Sequence, residues 1–216
     1  MHGAALAAAR SAGDTRGMSY ALRGLSRAHL RLGDLDAAER SLRRALALTV
    51  RRGDRLGQAR TLHGLAFVRQ QRRDLVGALC HYRRSRALFR RLRHHSAWAE
   101  SLNGSGWSHA LAGNLRQALR QTRTAVFLLR RCGDRHAEAS AWDTLGHIHA
   151  RRHDPDRADA CFTRALHLFE GLGDRFFQAE VLAHRAEHRR SAGDHRRAYA
   201  DRSRSVRLLE SLHRAG

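Results

Sequence analysis

The stretch RGDRLGQA, Arg52 to Ala59, opens on a tripeptide that resembles an adhesion ligand, and the question is whether it is a ligand or punctuation. The chain repeats it. CGDRHAEA runs from Cys132 to Ala139 and LGDRFFQA from Leu172 to Ala179, two and three periods of forty residues downstream, and neither keeps the leading arginine. A fixed period takes precedence over a short motif, because it marks one supersecondary unit copied along the chain. The stretch reads as punctuation.

Steps of twenty residues widen the pattern. The column through Gly53 is Gly13, Gly33, Gly53, Arg73, Arg93, Gly113, Gly133, His153, Gly173 and Gly193. The next column is Asp14, Asp34, Asp54, Asp74, His94, Asn114, Asp134, Asp154, Asp174 and Asp194. Glycine ends helices because it enters the left-handed conformation without a side-chain clash. Aspartate starts them because its carboxylate accepts an orphan N–H at the positive end of the dipole. The one proline, Pro155, follows Asp154 at the first helical position, where its missing N–H costs nothing.

Between these turns lie helical segments of about eighteen residues, and odd segments differ from even ones, so the unit is a helix pair. Residues 1–14 read as the end of a second helix from a truncated upstream repeat, a candidate for fraying or self-association. Pairs are expected at 15–54, 55–94, 95–134, 135–174 and 175–214. Second helices share Ala38, Ala78, Ala118, Ala158 and Ala198, and first helices share Leu22, Leu62, Leu102, Trp142 and Leu182. Small residues at facing positions let helices approach closely, and each pair buries its apolar face by stacking on the next. The fifth pair places Arg185 and Arg202 in columns held elsewhere mainly by apolar or small neutral residues, as a wet terminal repeat would.

Bulk composition sets the function classes. All 41 basic residues of this 216-residue chain are arginine, and the formal net charge is +21. Such a charge attracts acidic partners, RNA, DNA or anionic lipid. Apolar runs fall short of a membrane span and the start lacks a signal-peptide pattern, which points to the cytoplasm. Cys80, Cys132 and Cys161 show no metal-type spacing and read as reduced, mostly structural thiols.

Within one unit the small residue of the first helix (Ser26, Ala66, Gly106, Gly146, Ala186) precedes the shared alanine by twelve positions. The column Leu42, Tyr82, Thr122, Phe162, Arg202 comes four later, and Ala45, Ser85, Ala125, Ala165, Ser205 three after that. This resembles the tetratricopeptide repeat, in the forty-residue form of bacterial signalling ATPases and pathway regulators. It departs in period, in the lost closing proline, and in the first-helix aromatic, here His29, Arg69, His109, His149 or Arg189. The resemblance implies an all-α, right-handed superhelical solenoid of about five helix–turn–helix units, with first helices lining a concave groove for a protein or peptide segment. It also implies a sensory or scaffolding role in a regulatory system.

Carried over residue by residue, that geometry puts Tyr20, Arg60, Glu100 and Glu180 on the groove in one column. Arg23, His63, Asn103 and Asp143 form a second, and Arg27, Phe67, Trp107, His147 and Glu187 a third. Phe67 and Trp107 are large apolar groups where solvated ones are expected, which suits a binding platform. Basic members lie toward the start and acidic ones toward the end, and Asn103 offers a peptide backbone both a donor and an acceptor.

The rival reading is salt-dependent nucleic-acid binding on the convex arginines of the second helices, Arg40, Arg44, Arg51, Arg83, Arg84, Arg90, Arg91, Arg116, Arg120, Arg123 and Arg130. The nearby rings Tyr82 and Phe89 fall in packed columns, which leaves few to stack on bases. Metal and catalytic signals are weaker. His184 and His188 lie one helical turn apart beside Glu187, and Asp143 lies one turn before His147. Neither pair has a nucleophile, a phosphate loop or a third ligand in sequence, so no catalytic residue, metal or cofactor is expected.

Overall fold

The computed structural model describes residues 2–214. Among them are eleven α-helices: α1 (His2–Ser11), α2 (Thr15–Arg31), α3 (Leu35–Arg51), α4 (Arg55–Gln71), α5 (Leu75–Arg91), α6 (His95–Leu111), α7 (Leu115–Arg131), α8 (Arg135–Arg151), α9 (Pro155–Gly171), α10 (Arg175–Ser191) and α11 (His195–Arg214). No described helix is long and apolar enough to cross a membrane.

Most turns join two helices by the device read from the Gly-Asp columns. At the quoted stretch, the Gly53 N–H donates to the Val50 carbonyl at 3.0 Å and the Asp54 N–H to the Thr49 carbonyl at 2.9 Å. That is a Schellman closure, which satisfies the last carbonyls of α3. The Asp54 carboxylate then accepts from the Gly57 N–H at 2.8 Å and opens α4. Gly53 stands at φ 67°. The same left-handed conformation is imposed where the column carries other residues, at Arg73 (φ 63°), Arg93 (φ 54°) and His153 (φ 58°). Pro155 is the first residue of α9, behind the Asp154 cap. Asn114 departs from the pattern: its side chain makes no cap bond to α7, and nothing in the structure explains why.

The chain divides into two compact halves at Ser108/His109, inside α6. In the N-terminal half α1 packs on α2, α2 on α3, α3 on α4 and α4 on α5, and the first helices α2 and α4 also touch. Ala38, Leu42, Leu65 and Val68 form one core cluster, and Ala66, Ala78 and Tyr82 another. In the C-terminal half α7 packs on α8, α8 on α9, α9 on α10 and α10 on α11, and the first helices α8 and α10 touch. Its core gathers Phe162, Leu166, Leu168, Phe169, Val181 and Leu182 over Ala139, Ala158 and Ala165. Ala38, Ala78, Ala118 and Ala158 are fully buried, as helix–helix contact positions require.

Where the first-helix column that lacks an aromatic carries arginine, at 69 and 189, it is filled by ion pairing. The Arg69 guanidinium donates to Glu39 at 2.7 Å, thirty residues back, and to the cap Asp74 at 3.0 Å. Forty-residue periodicity carries the first pair into the other half. Arg189 donates to Asp159 at 2.6 Å, again thirty residues back, and to Asp201 at 2.8 Å. His149 does the lesser version, with Nδ1 3.5 Å from Asp154.

Two expectations are corrected. Arg185 is not a wet substitution. It is buried, and it grips Asp201 with two bonds at 2.8 and 2.7 Å while a third reaches Thr163 at 2.9 Å. Asp201 supplies the missing charge, in a column read without reference to Arg185. Arg202 is exposed as expected. The cysteines are free but only Cys161 is structural in the sense of being buried, and burial pushes its thiol up to about 11. Cys80 and Cys132 are exposed.

Candidate functional site

In the N-terminal half the first helices bring several expected residues to one place. An open cavity of about 490 Å³ is lined by Arg23 and Arg27 of α2, Arg60, His63 and Phe67 of α4, and Glu100 of α6. Its floor is Leu42 and Phe89, and Ser26, Leu30, Gly64, His94 and Ala97 complete it. Six of the thirteen residues singled out in the sequence therefore share one wall. Residues 23, 27, 60 and 67 meet because they fall on facing stripes of α2 and α4, which pack together.

The charges in this cavity are unevenly matched. Arg23 is partly buried, and its Nη1 has no hydrogen-bond partner among the described residues. Burial, and next the neighbouring Arg60, hold its guanidinium below the ordinary value, with Asp54 acting the other way. The Arg23 guanidinium lies 5.7 Å from the centroid of the Tyr20 ring, which is 62% exposed. Phe67 is 37% exposed. His63 donates or accepts through Nδ1 to Ser101 Oγ at 2.8 Å and meets the Tyr82 ring edge-on at 5.4 Å. Burial lowers its imidazole to about 4, so it is neutral at pH 7.

Asn103 and Trp107 on α6 are half-buried and lie outside this cavity lining. The Asn103 Oδ1 is buried without a hydrogen-bond partner.

In the C-terminal half a different group converges. Asp143 and His147 of α8 meet His184 of α10, with one ligand atom from each lying within 4.8 Å of the others. His184 Nδ1 is 3.0 Å from one Asp143 oxygen and 3.2 Å from the other, and His147 Nε2 is 3.9 Å from Asp143 Oδ2. The two imidazole centroids are 4.5 Å apart, and Phe162 packs edge-on against His147 at 5.2 Å. Burial lowers His147 to about 4, although Asp143 opposes it. For His184 the balance reverses. Burial pushes it down, but the Asp143 hydrogen bond and charge outweigh that and leave it raised. Glu180, one turn before His184, has its carboxyl held up by partial burial.

The sequence had paired His184 with His188, one turn on. The three-residue group leaves His188 out: its Nε2 lies 3.1 Å from the Pro155 carbonyl, and Asp143 and His147 stand beside His184. The signal was present as a forty-residue offset, since Asp143 and His184 are 41 residues apart in neighbouring first helices. Glu187 is exposed and paired with Arg190 at 2.6 Å. The second-helix arginines at 40, 44, 51, 83, 84, 90, 91, 116, 120, 123 and 130 are all exposed, and Tyr82 and Phe89 are buried.

No protein-family model matches the chain, and no curated protein does. Solved structures do. BtubC from P. vanneervenii superposes with a TM-score of 0.75 at 18% identity, over 98% of this chain and 89% of that one. A Rap protein complexed with competence and sporulation factor gives 0.82 at 13% identity, over 91% of this chain. A signal-transduction ATPase with a tetratricopeptide repeat sensor, from Pyrococcus horikoshii, gives 0.71 at 15%, over 94% of this chain. This chain spans 54% of the Rap chain and 31% of the ATPase. At these identities the likeness is one of fold. The fold is the all-α helix–turn–helix array of tetratricopeptide repeats.

Proposed function

We propose that this protein is a binding module that takes a protein or peptide segment on the first helices of its array, as the sensory or scaffolding part of a regulatory system. The observation that carries the reading is Arg23, whose buried, unpaired Nη1 stands in a cavity shared with Arg27, Arg60 and an exposed Phe67. A half-buried guanidinium with an unused donor is satisfied by a carboxylate, and a nearby ring supplies an apolar anchor. The cavity therefore suits a segment that places an acidic residue next to a large apolar one. Similar folds in a Rap protein complexed with competence and sporulation factor, and in a signal-transduction ATPase that has a tetratricopeptide repeat sensor, support the regulatory setting.

A peptide array that varies the spacing of one acidic and one aromatic or aliphatic residue tests this, followed by titration of the best binder. Phe67→Ala is expected to weaken that binder by about 2 kcal/mol, and Arg23→Gln by a similar amount with reduced salt dependence. Trp107→Ala and Asn103→Ala test whether the site extends along α6. Affinity that ignores Arg23 and Phe67 alike would refute the reading. The exposed arginines of the second helices keep nucleic acid as the rival ligand, and steep loss of binding with salt, without dependence on Phe67, would identify it.

A further inference from the structure

The C-terminal half holds a second constellation that does not depend on the cavity around Arg23. Asp143, His147 and His184 present one carboxylate oxygen and two imidazole nitrogens within 4.8 Å of one another, from two helices that pack directly. Asp143 and His147 are one turn apart on α8, so they project from the same face. His184 arrives from α10, and neither helix could build the group alone.

The separations are close to those that a small metal ion needs. A tetrahedral zinc with ligands at about 2.0–2.1 Å sets its donor atoms about 3.3 Å apart. The two His184–Asp143 distances, 3.0 and 3.2 Å, fall just short of that edge, and His147 Nε2 to Asp143 is 3.9 Å. Small rotations about the side-chain torsions close the remaining gap. The surroundings fix the imidazoles: Phe162 packs edge-on against His147, and the two imidazoles stand 4.5 Å apart. Two neighbouring imidazoles suit a shared cation better than two protons, because protonating both places like charges side by side.

We propose that Asp143, His147 and His184 form a zinc-class divalent metal site with three protein ligands and a fourth position open to solvent. Two nitrogen donors and one carboxylate select zinc, cobalt or nickel over magnesium and calcium, which prefer oxygen-only shells. Bound metal would tie α8 to α10, and so couple the conformation of this half to metal supply. The Asp143 charge, now shared with His184 as a hydrogen bond, would pass to the ion without leaving an orphaned group.

Cobalt(II) serves as the spectroscopic probe on the full chain, with zinc as competitor. The expected result is one equivalent bound with the intense visible absorption of a four- or five-coordinate ion, displaced by zinc, and a rise in melting temperature. His184→Gln, His147→Gln and Asp143→Asn should each weaken binding about a hundredfold while leaving helical content unchanged. His136→Gln is the control, since His136 lies 3.5 Å from Asp174 but belongs to no three-ligand group found among the described residues. With sixteen histidines in the chain, loose surface binding is the alternative to beat. It would show as several weak equivalents with the pale spectrum of hexaaqua-like cobalt, or as variants that bind like the wild type, and either outcome overturns the proposal. Should one substitution unfold the protein, the remaining two decide the matter independently.

Discussion

Phe162 lies across Gly146 so closely that a β-carbon on that glycine would sit 2.6 Å from its ring. Tyr82, in the same column two repeats earlier, presses as closely on Gly104, whose β-carbon would sit 2.4 Å from its ring. Tyr82 leans onto the helix that follows it. Phe162, for which the corresponding position is His184, leans back onto the helix before it. Gly146→Ala and Gly104→Ala should therefore destabilise by about 1–3 kcal/mol through overpacking, despite the better helix propensity of alanine. Gly171→Ala, whose β-carbon would meet only an arginine tip at 3.6 Å, is the control and should be close to neutral. Chemical denaturation of the three variants checks this, and equal midpoints would refute the close-approach explanation.

Arg73, Arg93 and His153 occupy the left-handed conformation that glycine holds in the other turns. A side chain there costs about 1–2 kcal/mol, whereas glycine has no β-carbon to clash. Arg73→Gly should raise stability by roughly 0.5–1 kcal/mol after the entropy of the unfolded glycine is subtracted. The reverse change, Gly53→Arg, should lower it. A pair of thermal melts under one buffer distinguishes the signs.

The Arg185–Asp201 pair is buried at both ends and reinforced by Arg189. Removing one partner leaves an uncompensated charge, so Arg185→Leu should cost about 3–5 kcal/mol. The double change Arg185→Leu with Asp201→Leu should recover much of that loss, since a buried ion pair contributes little net stability over apolar packing. If the double variant is as unstable as the single one, the cost lies in packing and not in charge.

His63 titrates near 4 in the folded protein because burial disfavours its charged form, against an ordinary value near 6.5. Between those values the unfolded chain binds a proton that the folded chain refuses. Stability supplied by the neutral imidazole is complete above about pH 6.5 and is lost as the pH falls toward 4. His63→Gln keeps a polar group near Ser101 but cannot titrate. The stability gap between wild type and variant should shrink by about 2 kcal/mol from pH 7 to pH 5, read from denaturation midpoints. A gap that is constant with pH would mean that His63 is not held neutral by burial.

The helices and turns were legible because they are local. Gly-Asp pairs every twenty residues state a stop and a start within six consecutive backbone groups, and no distant contact is needed to complete them. Asp54 and Gly53 behave alike in sequence and in structure for that reason. The shared alanines were legible too, because a forty-residue period forces identical neighbours onto identical columns, and Ala38, Ala78, Ala118 and Ala158 have no room to be anything larger.

Charge placement was not local, and there the sequence alone was insufficient. Arg185 read as a wet residue because its partner, Asp201, lies sixteen residues away on another helix. His184 read as the neighbour of His188, one turn along its own helix, until α8 brought Asp143 and His147 to it from about forty residues upstream. A column records which residue type stands at each position, but a hydrogen bond or a ligand set depends on side-chain directions across two helices. The period determined the scaffold of this protein; the packing of first helix on first helix decided which of its polar residues meet.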